Sequence, residues 1–155
     1  MAQTIGLVSM KNIIDNDGNY TMLIATGAAE ALISDIGLKA MSIRAGVDAT
    51  AKLATDGEAI LGRLFSYEAR VSEGVTVGAV ATEGCLTFMV NPNVTTSSPD
   101  QRPAVGDYIV GDVTTAGLAG YVRKATTAEM ALGDRCNWLV VEAPSDHLTV
   151  TAMKV

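Results

Sequence analysis

His147 is the only histidine in the chain, and Asp146 precedes it directly. An aspartate that orients a histidine is part of the arrangement that activates a serine nucleophile in hydrolases. The sequence contains no glycine-flanked serine of the GxSxG type that would present such a nucleophile. We therefore interpret His147 as an exposed turn residue and expect no catalytic role for it.

The two cysteines are Cys85 and Cys136. Together with a single histidine they cannot complete a tetrahedral zinc site unless carboxylates join them. Both lie in apolar, strand-like runs, so we expect buried free thiols and no disulfide bond. Free thiols are typical of a protein that is made and folded in a reducing cytoplasm.

Two glycine-containing runs resemble ligand-binding loops but lack the residues that bind. Residues 15–19 resemble the start of a calcium loop, but the glycine is misplaced and Thr26 stands where a bidentate glutamate is needed. Residues 57–64 have the glycine spacing of a phosphate loop, but Arg63 and Leu64 replace its lysine and its serine or threonine. The remaining carboxylates are scattered through turns. We therefore predict no enzymatic activity, no metal and no cofactor.

The charge and hydrophobic content of the chain limit the kinds of macromolecule that it is expected to bind. The 155 residues carry a net charge of −6, and 18% of them are charged while 48% are hydrophobic. Nucleic-acid binding requires clustered lysine and arginine, so we expect no nucleic-acid partner. The charged fraction is below the usual value of about a quarter. This indicates either a β domain with small side chains or a surface largely covered by partners.

No membrane-spanning or targeting segment is expected. The most apolar window, residues 22–41, contains Glu30, Asp35 and Lys39, and a bilayer span tolerates few charges. Residues 1–12 lack the basic and long apolar regions of a signal peptide.

Residues 58–90 predict three antiparallel strands joined by tight turns. The first strand shows period-two alternation, typical of one buried face, at Phe65, Tyr67, Ala69 and Val71. The second alternates in the same way at Val75, Val77, Ala79 and Ala81. The third, residues 85–90, is apolar on both faces. A helix over residues 60–65 is the alternative for the first segment, but Gly62 and the aromatic pair favour a strand.

The rest of the chain adds short strands and one candidate helix. Residues 27–37 are the candidate helix, because Glu30 can cap its first turn and Gly37 can end it. Residues 91–103 contain three prolines and predict a loop without regular structure. We predict about nine strands and a mainly β fold: an antiparallel β-sandwich or a partly open β-barrel with at most one short helix. Residues 1–36 would form an arm, a hairpin and the helix, and residues 37–155 the β domain.

The order of these segments resembles the small capsid decoration, or cement, proteins of tailed bacteriophages. The resembling runs are GLKAMSIRAG at 37–46, DGEAILGRL at 56–64, VTVGAVATEGCLTFMV at 75–90, PAVGDYIVGD at 103–112, GYVRKA at 120–125 and NWLVVEA at 137–143. The resemblance implies a β-tulip or β-sandwich domain without enzymatic activity. It also implies a structural virion protein that binds the exterior of an icosahedral phage head and bridges capsid subunits. Residues 1–36 and the proline-rich loop depart from the shorter members of that family.

The partners that the resemblance implies are the major capsid protein and further copies of this chain, as a dimer or a trimer. The protein would lie on the outer surface of the virion after assembly in the bacterial cytoplasm. The alternatives are another minor head or tail protein, or a bacterial β-barrel ligand-binding module. The candidate assembly contacts are Ile5, Leu7, Val8 and Met10 of the arm, Val94 of the loop, and Leu86 and Phe88 of the third strand.

Overall fold

The computed structural model describes residues 19–25, 38–46, 50–96, 99–133 and 135–155. Within them the strands are β1 (Asn19–Ile24), β2 (Ala40–Ile43), β3 (Thr50–Leu53), β4 (Gly62–Arg70), β5 (Val75–Ala81), β6 (Cys85–Met89), β7 (Ile109–Asp112), β8 (Tyr121–Lys124), β9 (Trp138–Glu142) and β10 (Thr149–Lys154). Two short α-helices are α1 (Pro92–Thr96) and α2 (Thr127–Met130). Single 3-10 turns lie at Val71–Glu73 and Pro99–Gln101.

Five strands close into a small barrel in the order β1-β3-β2-β4-β5. β1 completes the ring, because it pairs with β5 in antiparallel fashion and with β3 in parallel fashion. The barrel interior is filled by buried apolar side chains from all five strands: Met22, Ile24, Met41, Ala51, Leu53, Leu64 and Val80. The strand Asn19–Ile24, which was predicted to belong to the segment before the β domain, is therefore part of the barrel wall.

The faces of β4 and β5 differ from the predicted ones. In β5 the buried residues are Thr76, Gly78, Val80 and Ala81, so of the predicted face only Ala81 is buried, while Val75, Val77 and Ala79 are partly buried. In β4 the pairing register shifts between Leu64 and Ser66, and the bulge turns Phe65 out to 58% exposure. A bulge places an extra residue in one strand, so alternation across it no longer reports a single face. The prediction that Phe65 belongs to the buried face is wrong for this reason.

The second core lies between the barrel and two smaller sheets. One sheet has three strands in the order β6-β10-β9, and the other pairs β7 with β8. Trp138 is fully buried there; its ring meets Phe88 edge to face at 5.2 Å, and its indole N–H donates to the carbonyl of Ile60 over 3.0 Å. An indole N–H needs such a partner when it is buried. The tryptophan thus joins the entry to β4 to the three-stranded sheet.

The prediction of a mainly β fold is confirmed, and several details differ. β3 was not expected, and it forms a parallel pair with β1 in a fold predicted to be antiparallel. The loop predicted over residues 91–103 contains α1 and a 3-10 turn. With α2, the described residues contain two short α-helices, whereas at most one was predicted. Proline suits the first position of a helix, and Pro92 occupies that position in α1. The candidate helix over residues 27–37 lies outside the described residues.

Candidate functional site

Three of the predicted assembly contacts lie in the core. Leu86 and Phe88 project from β6 into the second core, and Val94 packs there from α1. All three are at most 9% exposed, so their side chains are not at the surface. β6 was predicted to be apolar on both faces, whereas Cys85 is exposed and Thr87 and Met89 are partly buried. The arm contacts Ile5, Leu7, Val8 and Met10 lie outside the described residues.

The outer face of the β6-β10-β9 sheet is nearly uncharged. Its inner face supplies Leu86, Phe88, Val150 and Ala152 to the core, and the alternate residues point outward. Across the outer face the pairing brings together Met89 with Thr149, Thr87 with Thr151, Cys85 with Met153, and Met153 with Leu139. The hydroxyls of Thr87 and Thr151 lie 3.2 Å apart, within hydrogen-bond distance. We call these seven residues the outer sheet face. One carboxylate borders it, because Glu142 lies beside Thr151 in the register.

Neither cysteine is buried as predicted. Cys85 is exposed on the outer sheet face, and Cys136 is partly buried; both are free thiols. Burial, together with the nearby Glu129 carboxylate, raises the pKa of Cys136. A raised pKa keeps a thiol protonated and unreactive. Cys136 therefore has the character of a structural residue.

His147 occupies the turn between β9 and β10, as predicted, with a positive φ of 57°. Asp146 accepts a hydrogen bond from the backbone N–H of Leu148, so its carboxylate shapes the turn. This use of the aspartate matches the turn role expected from the sequence. The histidine itself is partly buried, where an exposed side chain was expected.

A buried arginine joins the barrel to the second core. Arg123, on β8, makes a two-pronged pair with Glu129: Nη2 donates to Oε1 over 2.7 Å and Nη1 donates to Oε2 over 3.0 Å. Its Nε and Nη2 also donate to Oδ1 of Asp56, over 3.0 and 2.8 Å. Asp56 lies in the turn that follows β3, so one guanidinium links a barrel turn, β8 and α2. We call Arg123, Asp56 and Glu129 the arginine latch.

Local structure presents Glu129 to the arginine. Thr126 caps α2, and Glu129 reaches back to the Thr126 N–H, which forms a reciprocal capping box. Gly57 passes close by with a φ of 70°, and a Cβ there would lie 2.9 Å from Oε1 of Glu129. Only glycine combines that backbone angle with so close an approach. The hydrogen bonds from Arg123 are the main cause that lowers the pKa of Glu129 to about 2, and they outweigh its burial.

A second polar cluster surrounds Glu58. The carboxylate accepts hydrogen bonds from Ser42 and from the Thr55 N–H, and Lys52 pairs with it at 2.5 Å. Burial by itself would raise the pKa of Glu58, but the bonds from Lys52, Thr55 and Ser42 outweigh it, and the net pKa is lowered. Ser42 and Lys52 face each other across β2 and β3. A serine that donates to a satisfied carboxylate is not an activated nucleophile, so this cluster is structural.

Surface clefts flank both polar clusters. A 460 Å³ cleft beside the arginine latch is lined mainly by polar side chains, including Asn91, Asp112 and Arg123. These groups already bind one another, because the Asn91 amide donates to Asp112 over 2.8 Å. A 420 Å³ cleft lies beside Glu58, and a 170 Å³ cleft lies at the start of β1.

Neither polar cluster was predicted from the sequence. The T-x-x-E pattern at residues 126–129 is typical of a capping box, but nothing in the sequence shows that Glu129 and Asp56 bind the same arginine. Asp56 and Arg123 are 67 positions apart in the sequence. A charged residue in the middle of the buried strand Tyr121–Lys124 was the one available signal, because buried charges require partners.

In the ranges that the structure describes, no three histidine, cysteine or acidic side chains come together as a metal site. The helices of that same part are five residues long or shorter, and none has the length and apolar character needed to cross a bilayer. Comparison with protein-family models, with curated proteins and with solved structures gave no match to this chain.

Proposed function

We propose that this chain is a structural protein that binds the exterior of an icosahedral phage head and stabilises it by bridging capsid subunits. The observation that carries the proposal is the outer sheet face, a nearly uncharged surface on which Cys85 and Met153 are exposed and the other five residues are partly buried. The resemblance of the sequence to capsid decoration proteins supplies the class of partner.

The outer sheet face suits packing against another protein. Its residues are threonines, methionines, a cysteine and a leucine, so contact requires the desolvation of few polar groups. Methionine adapts its shape to irregular partner surfaces. Trp138, Phe88 and Val150 anchor the inner side of the same sheet in the core, so the face stays preorganised and little conformational entropy is lost on contact.

Stabilisation of the head would follow from mass action. A protein that binds the assembled shell and not the free subunit stabilises the shell by about RT ln(1 + [L]/Kd), or roughly 2.7 kcal/mol for each site at a concentration one hundred times Kd. Bridging adds to this, because one chain or an oligomer contacts two subunits at once. The partners are the major capsid protein and further copies of this chain, on the outer surface of the virion.

Binding to particles tests the proposal. The chain is produced in a host infected by the phage that encodes it, and purified heads are imaged by electron cryomicroscopy. We expect density for the β domain on the outside of the shell, at contacts between capsid subunits. Density confined to the tail, to the interior or to no particle at all would contradict the proposal.

A pair of variants tests the surface that makes the contact. Met89→Glu combined with Met153→Glu places two charges on the outer sheet face, and Leu118→Glu places one on an exposed turn outside that sheet. We expect the double variant to bind heads at least tenfold more weakly, because buried charges without partners are costly, and the Leu118 variant to bind normally. Equal binding by the two variants would exclude the outer sheet face as the contact.

A further inference from the structure

Asp56 and Gly57 form a chemically labile pair in the turn after β3. Because glycine has no side chain to shield its main-chain nitrogen, that nitrogen can attack the aspartate Cγ. A C–N bond forms, the nitrogen loses its proton, and one carboxyl oxygen leaves as water. The resulting succinimide ring then takes up one water molecule and opens at either carbonyl. One opening restores aspartate; the other gives isoaspartate, in which the main chain runs through the side-chain carboxyl carbon and gains a methylene group.

The arginine latch requires both residues of this pair. Oδ1 of Asp56 accepts two hydrogen bonds from Arg123, so another side chain at this position would leave part of a buried guanidinium unpaired. Gly57 combines a φ of 70° with close approach to Glu129, where a Cβ does not fit. The Asp56 side chain is nevertheless 69% exposed, so water reaches it. The fold therefore keeps a labile pair at an exposed turn.

The same contacts hold the reacting groups in place. The Gly57 N–H, whose nitrogen would attack, donates to the Gly111 carbonyl over 3.0 Å, and the Gly111 N–H donates to the Glu58 carbonyl over 2.9 Å. The ends of the turn are also joined, because the Thr55 N–H donates to the Glu58 carboxylate over 2.8 Å. Ring closure moves the Asp56 carboxyl carbon onto the Gly57 nitrogen and removes the proton from that nitrogen. It therefore breaks the bonds to Arg123 and to Gly111.

We propose that Asp56-Gly57 is a latent site of isoaspartate formation, and that the arginine latch and the Gly57–Gly111 bond suppress the reaction. Isomerisation then occurs only in molecules whose turn has opened, and its rate follows the population of the open state, because opening and closing are fast compared with the chemistry. The added methylene group would disrupt the pairing of Gly57 and Glu58 with Gly111, which joins the barrel to the second core. The inference does not depend on the proposed binding to phage heads.

Peptide mapping of the full chain tests the suppression. The parent protein is incubated at neutral pH, folded or unfolded in urea, and is then digested with trypsin. Cleavage after Lys52 and Arg63 releases residues 53–63, which contain the pair, and mass spectrometry of this peptide measures isoaspartate at position 56. We expect the folded protein to form isoaspartate there at least about tenfold more slowly than the unfolded chain. Equal rates would overturn the proposal.

A pair of variants separates the latch from overall stability. Arg123→Lys keeps the charge but loses the planar, multidentate geometry, and Glu129→Gln replaces it if the lysine variant does not fold. The control is Gly78→Val, whose added side chain would meet Ser66 and Ile24 in the barrel wall.

The contribution of globally unfolded molecules, calculated from the urea curve of each variant, is subtracted from its rate of isoaspartate formation. We expect the remaining rate to be at least about tenfold higher than in the parent for the latch variant and unchanged for Gly78→Val, because only the latch variant opens the turn locally. A latch variant that reacts no faster than Gly78→Val after this subtraction would overturn the proposal.

Discussion

Arg123 shows how one side chain can hold segments that are distant in sequence. Its side chain is 7% exposed, and it binds Glu129 in a two-pronged pair and Asp56 through two nitrogens. A planar guanidinium is suited to this task, because its N–H groups project in fixed directions. A lysine could supply the charge but not the two-pronged geometry. The latch therefore depends on the type of residue as well as on its charge.

The latch predicts a specific dependence of stability on pH. The pKa of Glu129 is lowered from 4.5 to about 2 in the folded protein. A carboxyl group with a lowered pKa stabilises the folded state when the pH is above the pKa that the group has in the unfolded chain. This contribution is lost as the pH falls from about 4.5 to about 2. We expect Glu129→Gln to lower the free energy of unfolding at pH 7 by about 2–4 kcal/mol. Urea denaturation at a series of pH values measures the difference.

The control for this variant is Glu73→Gln. Glu73 also pairs with an arginine, but its side chain is 59% exposed, and exposed pairs contribute on the order of 0–1 kcal/mol. We expect its effect to be small at every pH. The difference between Glu129→Gln and the parent protein should shrink toward zero near pH 2. A difference that stays constant from pH 7 to pH 2.5 would show that the charge of Glu129 does not support the fold.

At the scale of elements, the sequence predicted which segments form strands better than which faces they bury. The β4–β5 hairpin was predicted from the alternation in its two strands and from the turn between them. The faces of β4 and β5 were not predictable, because the bulge after Leu64 changes the alternation and local sequence carries no sign of it. β3 was missed because Thr50–Leu53 is only four residues long and includes a lysine.

For the outer sheet face as well, the sequence indicated the strand but not which of its side chains reach the surface. The sequence singled out β6, and β6 contributes to the outer sheet face, but the residues chosen on it, Leu86 and Phe88, are those that fill the core. A run that is apolar on alternate positions and small or sulphur-containing on the others does not say which set faces the solvent. The packing of Trp138 against Phe88 determines which face of β6 is buried, and that contact joins strands that are far apart in the sequence.

The narrow interior of the barrel predicts that Gly78 cannot carry a side chain. A Cβ at this position would lie 2.8 Å from the Ser66 carbonyl and 2.9 Å from Cγ1 of Ile24. The Ser66 carbonyl is backbone and cannot rotate away, so strain would spread into the β4–β5 pairing. We expect Gly78→Val to lower stability by about 2–4 kcal/mol, since overpacking a dense core is costly. Thermal unfolding followed by circular dichroism measures the loss.

Ala79→Val is the matched control for the Gly78 variant. Ala79 is the next residue of β5, and it is partly exposed and lines an open cleft on the outside of the barrel. Valine is favourable in strands when it has room, so we expect little change in melting temperature. A Gly78→Val protein as stable as the Ala79→Val protein would show that the barrel interior has space that the contacts do not indicate.

At the scale of the whole molecule, several contacts between described residues join the barrel to the second core. The arginine latch is one, and the Trp138 bond to the Ile60 carbonyl is another. A third is the backbone pairing of Gly57 and Glu58 with Gly111. These links make the two cores parts of one cooperative unit, so unfolding should follow a single transition. The outer sheet face then belongs to a rigid body, as a contact surface requires.

The same surface leads us to expect self-association. The outer sheet face is nearly free of charge, and the full chain carries a net charge of −6, so copies would repel one another least where that face meets its partner. We expect analytical ultracentrifugation at micromolar concentration to detect a dimer or a trimer. Met89→Glu with Met153→Glu should shift the protein to monomer, and Leu118→Glu should not. A parent protein that stays strictly monomeric, with no copy-to-copy contact on particles, would contradict this expectation.

The arm provides the last prediction. Residues 2–10 contain Ile5, Leu7, Val8 and Met10 and no charged residue. Burial of these side chains against apolar surface would therefore lower the free energy. Ordering these nine residues costs on the order of 9–18 kcal/mol in backbone entropy, and only extensive contact offsets that cost. We expect the arm to make this contact with a neighbouring subunit on the head, because every strand of the barrel already has partners within the described residues. Deleting residues 2–10 should leave the melting temperature nearly unchanged and weaken binding to heads by at least tenfold. Failure of the truncated chain to fold would assign the arm to its own domain, and unchanged binding would show that the arm makes no contact in the assembly.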